Sequence, residues 1–414
     1  MNHSLTPPFQ CGVTSALPRA MIPAARTQAA IELLDQIVAA ARDSGAAADT
    51  LIARWFSTRR YAGSKDRRAI RELVYDAIRL LGERPESGRA AMLALAAARP
   101  ELVAAFDGSP YGPAAIDPAE PIAVPGHAPG WLIKRLRASD IGIEEQAALL
   151  GRAPLDVRVN RLKADPAQLV AELPGAERLD FVPDGLRLPT DTRVETLPAF
   201  NLGQFEVQDA GSQLVTLAAK AERGHRVIDL CAGGGGKTLA LAAAMGDVGH
   251  ILACDIDRGR LQRLPERAGR AGVSIAEIRL LNPGQEVHQL ADQTGRADVV
   301  FVDAPCSGTG TWRRNPEARW RLTPDRLDRY VKTQASILKL AAGLVRPGGV
   351  LVHVVCSVLD AEGAGQAVSF LEAHPGWSAE PLALGTGTPR GPGVRLTPLS
   401  HSTDGFFVAR MRRP

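Results

Sequence analysis

No run of apolar residues in the 414-residue chain approaches the roughly 20 needed to cross a bilayer as a helix, so no membrane partner is expected. The N-terminus lacks an apolar core followed by a small-residue cleavage site, so no export signal is expected and a cytoplasmic location is. Residues 1–21 hold several Pro, Ser and Thr and read as a disordered tail. Cysteine is scarce and odd in number: Cys11, Cys231, Cys254, Cys306 and Cys356. That excludes a complete disulfide framework and points to reduced thiols. No Cys or His spacing matches a zinc finger, and no metal is expected. Internal repeats and low-complexity segments are also missing.

What is present is an ordinary globular composition, 45% hydrophobic and 23% charged, in a chain long enough for several domains. The net charge of +4 is small but unevenly spread. Between Leu51 and Leu80, eight basic residues face three acids; between Thr311 and Lys332, seven face three. Such clusters suit a polyphosphate partner or a solvated helix face.

Residues 22–150 carry a helical rhythm, with Ile31, Leu34, Ile37, Val38 and Ala41 on one face and Ile70, Leu73, Val74, Ala77, Ile78 and Leu81 on another. They read as an all-α domain, with a Pro/Gly-rich stretch from Gly108 to Pro129. Residues 151–204 read as a small α/β subdomain. Residues 205–414 alternate apolar strands with helices. Strands are expected at Val227–Cys231, Ile251–Asp255, Ala276–Leu280, Val299–Asp303 and Val350–Cys356. Helices are expected at Leu239–Met245, Gly259–Ala271, Pro324–Val345 and Glu362–His374. That pattern predicts a Rossmann-like α/β fold with a mostly parallel sheet.

The first strand runs into Cys231, Ala232, Gly233, Gly234, Gly235, Gly236 and Lys237. Glycine lets a ligand approach the backbone, and a helix start offers free N–H groups. A phosphate-cradling P-loop needs Gly where Cys231 stands, and the dinucleotide fingerprint needs Gly where Leu239 stands. S-adenosylmethionine carries no phosphate and needs neither. Its ribose would call for an acid at the end of the second strand, where Asp255 stands.

Two later strands end in Asp303-Ala304-Pro305-Cys306 and in Cys356-Ser357. Ligands of open α/β sheets sit beyond the carboxyl ends of the strands. Two thiols and a carboxyl there suit methylation at carbon 5 of cytosine. A thiolate adds to carbon 6 and makes carbon 5 nucleophilic. Asp303 offsets charge near N3, and a second thiol assists release. The residues alone leave open which sulfur attacks.

These motifs, with Arg314-Asn315-Pro316-Glu317 and Gln208-Asp209-Ala210-Gly211-Ser212, resemble the Sun-type RNA cytosine-C5 methyltransferases from about Pro154 onward. The segment Ala62-Gly63-Ser64-Lys65-Asp66-Arg67-Arg68 resembles NusB-like RNA-binding domains. The resemblance implies a class I S-adenosylmethionine-dependent methyltransferase fold, with rRNA as substrate and a monomeric protein. It implies Cys356 as nucleophile, Cys306 for release, Asp303 near base and donor, and Lys237 assisting. It also implies donor contacts from 231–237, from Asp255, and from Asn282, where relatives often have Asp. Gly234 stands where relatives often have Pro.

An extruded base is required, which favours loops of structured RNA. The Arg-rich segment after Gly310 is expected to grip phosphates, Trp312 to stack on a base or pack in a loop, and Arg158, Asn160, Arg161 and Lys163 to add backbone contacts. Two alternatives are a DNA cytosine methyltransferase, which would leave Cys356 unexplained, and a non-catalytic RNA-binding factor, which would leave both thiols unexplained.

Overall fold

The computed structural model describes residues 21–43 and 45–414. Cys11 and all but the last residue of the expected tail lie outside the described residues. The chain divides into two compact units, one ending at Pro125 and one running from Gly126 to Pro414.

The first unit is helical: Pro23–Arg42, Ala48–Thr58, Ser64–Leu80 and Gly88–Ala98. Most of its periodic apolar positions, among them Leu34, Ile37, Ile70, Val74 and Ile78, are buried, and Leu73 is half-buried. The start of the helix Ser64–Leu80 is fixed by Asp66. Its carboxylate accepts the Gly63 N–H at 3.3 Å and the Arg26 guanidinium at 2.8 Å. This one acid therefore joins the helix that begins beside it to the helix Pro23–Arg42.

The second unit opens with the helices Gly130–Ala138 and Ile143–Ala148. Leu132, Leu136 and Leu149 pack there with Trp312, Leu322 and Val358. Residues 126–150, which the sequence groups with the helical region before them, thus pack into the second unit. Their helical periodicity is real, but its apolar face is buried by partners nearly 200 residues further along, and those cannot be read locally.

Next comes a small antiparallel sheet, β1 (Leu155–Val159), β2 (Glu177–Arg178), β3 (Gly185–Leu188) and β4 (Phe205–Val207), in order β2-β3-β1-β4. The main sheet then begins with β5 (Arg226–Asp229), β6 (His250–Asp255), β7 (Ala276–Leu280), β8 (Ala297–Asp303) and β9 (Val345–Val355). These are parallel in the order β9-β8-β5-β6-β7. Strands β10 (Ser378–Glu380), β11 (Thr388–Arg390), β12 (Gly393–Leu396) and β13 (Phe406–Arg412) extend it antiparallel beyond β9.

Alternation along the strands sends Ile228, Val300 and Leu351 to the helices Pro324–Leu344 and Ala364–Ala373. It sends Val227, Phe301 and Val352 to Ala210–Leu217 and Gly236–Ala244. Each fully buried side chain of this kind contributes about 1.5–3 kcal/mol. The expected single helix Gly259–Ala271 is two, Arg258–Leu261 and Leu264–Ala271, because Pro265 lies in the first turn of the second and cannot continue the first.

The chain enters the sheet at its centre, builds outward to β7, and returns to β8 on the other side of β5. Parallel strands bring the carboxyl ends of β5, β6, β8 and β9 to one rim, with the reversal of strand order between β5 and β8. That is where a crevice opens in such sheets.

Candidate active site

The glycine loop fills the turn between β5 and the helix Gly236–Ala244. Gly233 (φ 55°) and Gly235 (φ 84°) adopt the left-handed conformation that glycine accommodates. A Cβ on Gly235 would lie 2.2 Å from Leu264 Cδ1, so the close approach also excludes side chains. The loop is anchored at several points. Ala232 N–H donates to the Cys254 carbonyl at 2.9 Å, and Gly233 N–H to Asp255 Oδ2 at 2.7 Å. Arg267 Nη1 donates to the Gly234 carbonyl at 2.5 Å while its Nη2 bonds the buried Glu206 at 2.7 Å. An arginine from a neighbouring helix thus holds the middle of the loop.

Asp255 ends β6. One of its oxygens supports Gly233, and the other accepts the Asp257 N–H at 2.8 Å. A carboxylate has about four acceptor sites, so both oxygens keep capacity for a ligand hydroxyl. Asn282 is exposed, two residues beyond Leu280, which pairs with Asp255 in the sheet register. Its N–H donates to Gln289 Oε1 at 2.7 Å. Cys231, half-buried, sits where the loop leaves β5; burial pushes its thiol well up.

Asp303 ends β8, and its Oδ2 lies 2.6 Å from Lys237 Nζ, at the start of the loop helix. Burial works against the charge on Lys237, but the Asp303 carboxylate outweighs it and holds the ammonium above its ordinary value. Lys237 Nζ also lies over the Phe406 ring, 5.7 Å from its centroid. Cys306, three residues past Asp303, and Cys356, one past β9, are both half-buried, with their Sγ atoms 3.3 Å apart. The hydrogen bond with Cys356, and then burial, push the Cys306 thiol well above its usual range. Cys254 is fully buried in the core.

The residues from 215 to 412 match the family model described as 16S rRNA methyltransferase RsmB/F. A probable ribosomal RNA small subunit methyltransferase B of Synechocystis sp. is 35% identical over 303 residues, covering 69% of this chain and 66% of that protein. The domain from 215 to 412 belongs to the RsmB/F methyltransferase family. The aligned part spans just under two thirds of that relative's length. Among solved structures, PH0851 superposes with a TM-score of 0.74 at 26% identity, covering 95% of this chain and 99% of the other. A methyltransferase homologue from Pyrococcus horikoshii gives 0.58 at 25% identity, covering 69% and 99%.

Two expectations about this chain are corrected. Arg313 is buried against Asp404 at 2.8 Å, and Arg314 pairs with Asp404 at 2.6 Å and Asp209 at 3.2 Å, so both are internal ion-pair partners and not phosphate grips. Of the two alternatives for Trp312 the packed one holds: it is fully buried among Leu132, Leu136 and Val358. Arg158 is buried on Gln208, Asn160 on the Gly203 and Ala271 carbonyls, and Lys163 Nζ donates to the Leu202 and Arg270 carbonyls. Arg161 pairs with Asp165 at 2.7 Å. Asn160 and Lys163 thereby tie the small sheet to the helix Leu264–Ala271.

Sequence reading missed Asp229 and Glu362. Asp229 is fully buried beneath the loop, bonded by Thr238 Oγ1 at 2.7 Å, and burial pushes it up to about 7. Its position at the end of an apolar strand was the available signal. Glu362 is fully buried behind both cysteine turns. Its only local sign was an acid just before a helix.

Proposed function

We propose that this chain transfers a methyl group from S-adenosylmethionine to carbon 5 of a cytosine in small-subunit rRNA, through a covalent bond between Cys356 and carbon 6. The observation that carries this reading is the pair of sulfurs 3.3 Å apart at the rim that also holds the Lys237–Asp303 pair. One flat pyrimidine seated there meets both thiols and one carboxylate.

The rim fits the donor. The first-turn amides of Gly236 and Lys237 have no intrahelical acceptor and suit the methionine carboxylate. The ribose hydroxyls suit Asp255, and Asn282 suits the adenine edge. When bound, S-adenosylmethionine supplies an electrophilic methyl group on a sulfonium.

The thiol roles follow from their neighbours. The Lys237 ammonium and Cys356 interact electrostatically, so Cys356 is taken as the attacking sulfur. Cys306 is held as a thiol. Cys356 Sγ attacks carbon 6, and Lys237 passes a proton through Asp303, 2.6 Å away, to N3, where the charge of the addition gathers. Once Cys356 is bonded to carbon 6, the hydrogen bond and charge that hold Cys306 as a thiol are gone and Cys306 loses its proton to water. After methyl transfer it takes the proton from carbon 5, the carbon 5–carbon 6 double bond re-forms as the Cys356–carbon 6 bond breaks, and N3 returns its proton to the Asp303–Lys237 pair. The exposed Arg54, Arg60, Lys65 and Arg68 of the helical unit make no ion pair among the described residues and serve as a phosphate anchor.

The test is methylation with methyl-tritiated S-adenosylmethionine of small-subunit rRNA and of DNA of the same sequence, followed by nucleoside chromatography. Label in 5-methylcytidine from RNA alone is expected. Label in DNA alone, in another nucleoside, or in neither polymer overturns the reading.

A further inference from the structure

The two cysteines come from turns 50 residues apart in sequence. Something other than local geometry must set their separation. The residues that follow them, Ser307 and Ser357, both bond to one carboxylate. Glu362 Oε1 accepts the Ser307 N–H at 2.8 Å and Gln334 Nε2 at 3.1 Å. Glu362 Oε2 accepts the Ser357 hydroxyl at 2.6 Å and, at short range, the Ser307 hydroxyl. Gln334 Nε2 is shared with the carbonyl of Pro305, the residue before Cys306, at 2.9 Å.

Glu362 and Gln334 are fully buried, and no cation pairs with this carboxylate among the described residues. A buried charge without a counter-charge is costly unless its acceptor sites are filled. Here four donors fill them, and three of those donors belong to the two cysteine turns. A network that costs this much and converges on two thiols is a device for geometry.

We propose that Glu362 is a positioning residue that binds the Cys306 and Cys356 turns into one rigid unit and sets the spacing of their sulfurs. The two turns also meet through Gly310 N–H to the Cys356 carbonyl at 3.1 Å and through Thr309 Oγ1 and Ser357 Oγ at 2.9 Å. Glu362 adds to those contacts one carboxylate bonded to both turns. For catalysis the inference rests on the cytosine-methylation reading above; as a statement about thiol spacing it does not.

The experiment measures both. Glu362→Ala and Glu362→Gln are made in the full chain, and circular dichroism with thermal unfolding identifies the folded variants. Glutamine keeps the shape but only one acceptor oxygen, so it remains informative if the alanine variant fails to fold. First, diamide is added and the rate of Cys306–Cys356 disulfide formation is followed by peptide mapping. Bond formation demands close, well-directed sulfurs, so the folded variants should slow by about tenfold or more. Second, methylation kinetics should show kcat reduced by about 100-fold with KM for RNA unchanged, as for a misplacement of about 1 Å. A disulfide rate equal to wild type in a folded variant overturns the tie, whatever happens to kcat. A wild-type chain that methylates nothing, while its disulfide rate depends on Glu362, overturns the catalytic reading and leaves the tie standing.

Discussion

Cys306 Sγ and Cys356 Sγ stand 3.3 Å apart, close enough for one to hydrogen-bond the other. A pair this close cannot both ionise at neutral pH without mutual repulsion. At most one of them can therefore carry a charge, and the hydrogen bond and burial hold Cys306 as a thiol, which suits the distinct tasks proposed for the two sulfurs.

Replacing Lys237 by methionine keeps the stem and removes the charge. Asp303 then loses its partner at 2.6 Å, and Cys356 loses the nearby ammonium. Methylation should fall by about 10²–10³-fold with the fold intact, from the lost stabilisation of charge in the transition state. Single-turnover kinetics with circular dichroism checks this.

Gly235→Ala places a Cβ in a left-handed backbone and 2.2 Å from Leu264 Cδ1. The strain should cost about 1–3 kcal/mol of stability and distort the helix start beneath the donor. Urea denaturation and calorimetric titration with S-adenosylmethionine should both show the loss.

His353 is fully buried on β9, and burial lowers it from 6.5 to about 4. The unfolded chain therefore binds a proton that the native chain does not in this interval. The histidine's contribution to stability is complete above pH 6.5 and is lost as pH falls toward 4. Asp229, raised to about 7, acts oppositely: its native form holds the extra proton, so its contribution falls as pH rises from about 4 to 7. Denaturation of His353→Gln across this range should show stability decreasing more steeply with rising pH than in wild type. Asp229→Asn should show the reverse.

The four exposed cations Arg54, Arg60, Lys65 and Arg68 should act on RNA affinity and not on chemistry. Changing all four to alanine should reduce the salt slope of RNA binding by up to about 3, at roughly 0.7 per phosphate contact. Filter binding at several salt concentrations measures it, with kcat at saturating RNA unchanged.

Much of this was legible in sequence because it is written locally. Apolar runs marked β6, β8 and the end of β9, and the residues at or just past their ends, Asp255, Asp303 and Cys356, sit at one rim because parallel strands share an end. The charge clusters were less informative. Arg313 and Arg314 look like a phosphate grip until their acids, Asp209 and Asp404, arrive from about 105 and 90 positions away. Glu362 was illegible for the same reason: its partners lie on three different elements.

The most direct measurement is covalent trapping. Cys306→Ala and Cys356→Ala variants are mixed with small-subunit rRNA and S-adenosylmethionine, denatured, and separated by size. Cys306→Ala should accumulate a protein–RNA adduct that survives denaturation, and Cys356→Ala should yield none. An adduct trapped by Cys356→Ala, or by neither variant while wild type methylates, would contradict the assignment of Cys356 as the attacking sulfur.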